Sequence, residues 1–412
     1  MARYSPPRER HIGRALLPLG LVFLAVGIST AVVLPFLSLF LSTAVHAGPV
    51  KVTVFLVAAP LAGVVAATVI GRLSDRRAVR RKLLIGASMA GLVGAALTVF
   101  VRDYWILLAL AVTTTAVAGS LFPQSFAYAR QVLTRESPGT AAMGISTLRT
   151  VFSVAWVAGP PLAAVLLETG GFAYVYATAA VMYGIAALVG VFWLAEEETP
   201  EPVEPPSSTR ETPVAAVESG RWTLWLTAAA FTLLQCPLTL GVQALPLFIS
   251  TDLGGDVADA GLILGLCAFL EIPLMLVLGW LTTRIRLRLL LLTGAACGVV
   301  YEAMATVTSG VGVLAAGQLL NAFFIAAVSG LGITYMQDML PGHPGRATTL
   351  FTNSFPIGAV LAGPLFGVAQ HFGFRWAYGL GTALCAAGLL LLLVIRPRPR
   401  VPFEFAPVPA VG

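Results

Sequence analysis

Two ionisable side chains stand where ionisable side chains are costly. Arg149 interrupts the apolar run from Thr140 to Leu167, and Glu271 interrupts another in the opposite half of the chain. An ionised group at a bilayer centre costs about 2.5–3.5 kcal/mol on insertion scales, so such residues face a partner or a water-filled cavity. A guanidinium is a rigid fork of donors suited to solute oxygens. Burial disfavours the charged form of a carboxyl, so an acid at this depth can take up and release a proton as its surroundings change. The four histidines, His11, His46, His343 and His371, fall at helix ends or in loops, which leaves Glu271 as the central titratable acid. The static alternatives are an internal ion pair that locks two helices for Arg149, and for Glu271 a polar neighbour beside Pro273 or Arg149 itself.

The elements that must position these groups are membrane helices. Of 412 residues 58% are hydrophobic and 11% charged, too few polar groups to cover a water-soluble globule. Apolar runs of about 20 residues, long enough to span a bilayer, lie near 14 to 42, 50 to 71, 82 to 101, 105 to 130, 141 to 167 and 172 to 194. A second set lies near 221 to 250, 257 to 282, 288 to 308, 311 to 338, 345 to 370 and 374 to 395. The expected fold is therefore all-α, with twelve transmembrane helices. Arg149 comes about 12 Å into the fifth, at about 1.5 Å per residue, and Glu271 midway along the eighth. Glu302 lies on the ninth, a peripheral helix in the fold that the resemblance described below implies, and is expected to reach the outer interface. The first apolar run exceeds a signal-peptide core and reads as a retained helix.

Basic residues give the orientation, because loops rich in Lys and Arg stay in the cytoplasm. Arg3, Arg8, Arg10 and Arg14 precede the first helix, Arg72 to Lys82 join the second and third, Arg284, Arg286 and Arg288 join the eighth and ninth, and Arg396, Arg398 and Arg400 follow the last. The other loops hold Lys51, Arg102 and Arg375 beside Asp252, Asp256 and Asp259. Both termini are thus expected in the cytoplasm of a multi-pass membrane protein, and the resemblance described below implies a bacterial inner membrane. The net charge of +6 then reports topology and calls for no nucleic-acid partner. Cys236, Cys267, Cys297 and Cys385 fall inside spans without paired spacing, as small core residues rather than a disulfide or zinc framework.

The chain divides into two copies. Residues 195–220, rich in Glu, Pro, Ser and Thr, read as a cytoplasmic linker between a bundle at 1–194 and one at 221–395, with a cytoplasmic tail at 396–412. Gly71-Arg-Leu-Ser-Asp-Arg76 parallels Gly279-Trp-Leu-Thr-Thr-Arg284, Pro138-Gly139 parallels Pro344-Gly345, and Ala158-Gly-Pro160 parallels Ala362-Gly-Pro364, at offsets of about 204 to 208. Parallel repeats of this kind place a solute site near the midplane between the copies and expose it alternately to the two sides.

The run from Gly71 through Asp75 and Arg76 to Lys82 resembles the loop between helices two and three of the major facilitator superfamily. That resemblance implies two pseudo-symmetric six-helix bundles and a gate. In it Gly71 permits close helix approach, Asp75 caps the start of the eleventh helix near Gly345 and Arg346, and Arg76 holds the cytoplasmic face. Thr283 replaces the acid in the second copy, so that lock is expected to be weaker. Leu270-Glu-Ile-Pro273, Gln318-Leu-Leu-Asn-Ala-Phe323, Gln337-Asp-Met-Leu-Pro-Gly342 and Arg346 to Ser354 resemble the bacterial sugar efflux transporter family. Phe126-Ala-Tyr-Ala-Arg130, Leu148-Arg149 and Ala155 to Leu162 resemble the same family, so the likeness spans nearly all twelve helices.

The resemblance implies that helices one, four, seven and ten line the cavity, with two, five, eight and eleven beside them. Arg149 is then a sugar-binding or gating residue and Glu271 the proton-coupling residue. Gln124, Gln235, Gln243, Gln318, Asn321 and Asn353 offer paired donors and acceptors for vicinal hydroxyls, or serve as interhelical bonds. Trp156, two turns after Arg149 on the same face, can stack on a sugar ring or simply pack. Asp338 and Arg130 are expected to pair at the cytoplasmic gate.

The chain has two lysines, Lys51 and Lys82, neither in a phosphate-binding loop, so transport is expected to be secondary and no cofactor or metal is implied. No nucleophile with its base suggests a membrane enzyme. The expectation is a monomeric sugar or glycoside exporter working by alternating access in exchange for protons, with the lipid bilayer as its surroundings. A multidrug/proton antiporter and a non-transporting membrane sensor are the alternatives.

Overall fold

A computed structural model describes residues 12–76, 79–136, 141–194, 220–340 and 343–395, with the side chains of 12–15, 75–76, 135–136, 141–142 and 344 left out. The tail, and the linker except Gly220, lie outside that description. Eleven helical stretches are long and apolar enough to span a membrane. We number the spans α1 (Leu16–Ala44), α2 (Pro49–Ser74), α3 (Arg80–Phe100), α4 (Tyr104–Thr134), then α5 and α6 within Met143–Phe192. The second set is α7 (Arg221–Asp252), α8 (Val257–Leu281), α9 (Leu287–Val307), α10 (Val311–Met339), α11 (Gly345–Phe372) and α12 (Arg375–Val394). A straight helix of the length of Met143–Phe192 would be about 75 Å long, far beyond a bilayer. Gly171, at φ 64° and ψ −162°, turns the chain there, a conformation only glycine adopts readily. The membrane protein therefore has twelve spans, and among its described residues no strand.

The two halves repeat in detail. In the first turn of α3, Arg81 donates to the carbonyls of Gly190 (3.0 Å) and Val191 (2.6 Å) at the end of α6. In the first turn of α9, Arg288 donates to those of Leu392, Leu393 and Ile395, at 3.0, 3.0 and 2.9 Å, at the end of α12. Each guanidinium satisfies carbonyls that a helix C-terminus leaves unpaired and opposes its negative dipole end. These positions are about 207 residues apart, the offset of the sequence repeat.

The packing is unequal at the two ends of the helices. One buried cluster joins both halves: Phe36 and Phe40 of α1, Phe55 of α2 and Tyr104 of α4 with Phe248 of α7, Ile263 of α8 and Phe366 of α11. Its members lie from mid-span toward the membrane face away from the chain termini. At the terminal face the halves keep separate clusters, one around Phe23, Leu84 and Tyr128 and the other around Phe231, Phe324 and Phe351. Apolar burial is shared at one face and divided at the other, so a cavity opens between the halves toward the terminal face. Across the closed face Ser38 Oγ donates to Gln243 O, Gln243 Nε2 to Leu34 O (3.1 Å) and Gln370 Nε2 to Ser42 Oγ (3.3 Å).

Candidate functional site

The two central charges are brought together by one helix crossing. A Cβ on Gly261 of α8 would stand 2.7 Å from Pro160 O of α5, and one on Gly265 would stand 2.8 Å from Val157 O and 2.7 Å from the Pro161 ring. Backbones can meet this closely because glycine has no side chain and Pro161, lacking an N–H, leaves Val157 O outside the helical ladder. One turn forward along α8 is one turn back along α5, so the helices run antiparallel. Followed for another turn and a half, that register sets Glu271 opposite the segment that begins at Arg149. The Arg149 guanidinium is within electrostatic reach of the Glu271 carboxyl. Arg149 is exposed and Glu271 half-buried. No ion pair within 4.0 Å joins them. The site is a cation and an acid facing each other across a gap, one from each half.

Gln124 on α4 is buried with its Oε1 lacking a protein partner, and neighbouring Ser125 Oγ is likewise unpartnered. Trp156 is half-buried on α5, and Asn353 is exposed where α11 breaks between Pro344–Thr352 and Ser354–Phe372. Gln235 donates to Ser329 Oγ of α10 at 3.4 Å. Gln318 and Asn321 are engaged by protein: Gln318 Nε2 donates to Tyr301 Oη (2.9 Å) and Leu314 O (3.2 Å), and Asn321 Nδ2 to Gln318 Oε1 (3.0 Å) and Cys267 Sγ (3.5 Å). Gln243 joins the halves at the closed face through Nε2 and its backbone carbonyl, with Oε1 buried and unpartnered, well away from the Arg149–Glu271 crossing.

A Cβ at Gly71 would meet nothing within 4 Å, so nothing approaches it closely in this conformer. One expectation needs correction. Glu302 does not reach the outer interface: it is 2% exposed, and one carboxyl oxygen lies where a Cβ on Gly381 of α12 would go. The side chains of Asp75 and Arg76 lie outside the described residues, and so therefore does the cap on α11. Arg130 and Asp338 are exposed at the open face. The arginine clamps at Arg81 and Arg288 were hidden in the sequence among basic residues that also set topology; their spacing at the repeat offset was the available signal.

A helical bundle with repeated halves, a cavity open to one face and a cation–acid crossing at its centre is the build of a membrane transporter. The sequence model described as Major Facilitator Superfamily matches residues 19–243 and 238–409. The chain belongs to that superfamily and, by its relatives, to the sugar efflux transporter family. It is 35% identical over 363 residues to sugar efflux transporter A of Dickeya chrysanthemi, covering 88% of this chain and 90% of that one. It is 33% identical over 380 residues to sugar efflux transporter A of Escherichia coli K12, covering 91% and 95%. Among solved structures, the nucleoside transporter NupG superposes with TM-score 0.70 at 12% identity, covering 92% of this chain and 98% of that one. A bacterial homologue of the human lysosomal transporter Spinster, described as inward-facing and unoccupied, superposes with TM-score 0.72 at 12% identity, covering 94% and 98%. At these identities the structural likeness speaks to fold alone. As a superfamily transporter the protein is not an enzyme.

Proposed function

We propose that this protein exports sugars or glycosides across the cytoplasmic membrane by alternating access, in exchange for protons. The observation that carries the reading is the Arg149–Glu271 crossing, without a direct ion pair. The names of its relatives supply the solute class. The basic loops support a cytoplasmic position for the open terminal face, where an exporter would load its solute.

The geometry favours exchange for a physical reason. A sugar between the two side chains accepts hydrogen bonds from the guanidinium and donates to an ionised Glu271, bonds strengthened by charge. A proton on Glu271 removes the charge that strengthens that bond and leaves a weaker acceptor and a poorer site. The crossing therefore holds sugar or proton in preference to both. Arg149, Gln124, Trp156 and Asn353 are the proposed sugar contacts, with Gln235 beside them; Gln243, Gln318 and Asn321 act by holding helices. Gly71, Asp75, Arg76, Arg130 and Asp338 are proposed to close the cytoplasmic face in the opposite conformer. The working unit is a monomer, because the site lies wholly between the two halves of one chain.

Labelled lactose and glucose movement in proteoliposomes, with and without an imposed pH gradient, tests the reading. Sugar movement that follows the gradient is the expected result. Gradient-driven efflux of an amphiphilic cation with no sugar movement would establish the multidrug alternative, which the engagement of three amides by protein contacts favours. No solute movement by folded protein would point to a sensor.

A further inference from the structure

We propose that Glu302 is a second proton-carrying carboxyl of the transport cycle, protonated in this conformer and joined to Glu271 by a buried polar track; this rests on the proton-coupled reading above. Glu302 is 2% exposed between α9, α7 and α12. The Tyr301 hydroxyl on its own helix, the Tyr378 hydroxyl and Cys385 thiol of α12 and the Cys236 thiol of α7 are within electrostatic reach of it, and none of these is a cation. No ion pair within 4.0 Å joins the carboxyl to a described residue. An ionised carboxylate in such a site would have neither counter-charge nor solvent, so the group holds its proton while the site stays closed.

The surroundings are built for change as well as for burial. Tyr301 Oη, which accepts from Gln318 Nε2 at 2.9 Å, keeps its own O–H to donate. Gln318 Oε1 accepts from Asn321 Nδ2 at 3.0 Å, and that same amide approaches Cys267 Sγ at 3.5 Å, one turn before Glu271 on α8. The track thus crosses from α9 through α10 to α8 and ends beside the cavity acid. Tyr378 Oη and Asn321 Oδ1 are buried without a partner, so hydroxyl and amide can reorient when the carboxyl gains or loses its proton. One turn further along α9, toward the closed face, Arg375, paired with Asp252 at 3.8 Å, donates to the backbone carbonyls of Thr306 and Thr308. Glu302 therefore sits between the cavity acid and the charged closed face. It gives the exporter capacity for more than one proton per sugar.

The test is proton release on lactose addition to the reconstituted protein in weak buffer, read with a pH indicator. Wild type is expected to release protons, and Glu302→Gln about half as many per lactose bound, since two carboxyls contribute to the linkage. Glu302→Asp should restore the wild-type count. Glutamine imitates a permanently protonated, merely structural carboxyl, so equal release from wild type and Glu302→Gln would overturn the proposal while leaving Glu271 coupling intact. No release from wild type would remove the proton-coupled reading itself. Infrared difference spectra of wild type supply a readout that does not need an active Glu302→Gln protein. A protonated-carboxyl band that changes on lactose addition and shifts in Glu302→Asp supports the proposal, and its absence overturns it.

Discussion

The two halves of the molecule share a scaffold and differ in chemistry. Arg81 and Arg288 clamp equivalent helix ends, and glycines thin the contact between halves on both sides, Gly261 and Gly265 of α8 against α5 and Gly363 and Gly367 of α11 against α2. The charged interior is not repeated. At the clamp offset of about 207, Glu302 corresponds to Ala95, Gln318 to Ala111 and Glu271 to Val64, while Arg149 corresponds to Pro356, near Asn353. The first half supplies the cation and the second both acids. Alternating access needs two equivalent conformers, which a repeated scaffold provides; coupling needs a site that responds to a proton, which asymmetric charge provides.

The largest expected effect is from Glu271→Gln, which should abolish concentration of sugar against a gradient while exchange of labelled for unlabelled sugar persists; Val64→Thr, at the counterpart position, should leave both intact. A mutant that still concentrates sugar would end the coupling role. Sugar affinity of the wild type should fall as pH is lowered, because protonation removes the charge that strengthens the bond to Glu271, and titration calorimetry of Glu271→Gln should show that dependence lost. Next in size is Arg149→Ala, which removes charged hydrogen bonds worth about 1.5–3 kcal/mol, roughly ten- to hundredfold in sugar affinity; Asn353→Ala should cost less. Gly265→Leu should slow exchange about tenfold or more by forcing α5 and α8 apart, whereas Gly71→Leu at the open face should bind sugar from the cytoplasmic side normally. The smallest effects are on stability: Arg81→Ala and Arg288→Ala should each cost about 1–2 kcal/mol at a helix C-terminus, and unequal losses in thermal unfolding would break the symmetry of the clamps.

Much of this organisation was legible in the residues. Span count, the turn near 171, the duplication and the two intrusive charges all follow from one-dimensional pattern. The interruptions inside spans were not legible. Phe40–Ala44 of α1 and Ala111–Thr115 of α4 are π-helical, and Leu34–Phe36 is a 3₁₀ turn that contains Pro35. Nor was the fate of the amides, since Gln243 and Gln318 look alike in sequence and meet different partners.

By itself the sequence determined that this chain crosses the membrane twelve times as two copies and carries a cation and an acid in its interior, because burying charge in lipid is expensive enough to mark each position. Only the tertiary structure decided which charges meet. That Arg149 faces Glu271, that Glu302 is sealed between helices, and that Gly71 stands in an open gap depend on helix rotation and on how the halves lean together. Those follow from three-dimensional packing of apolar faces, which hydropathy along one helix does not record.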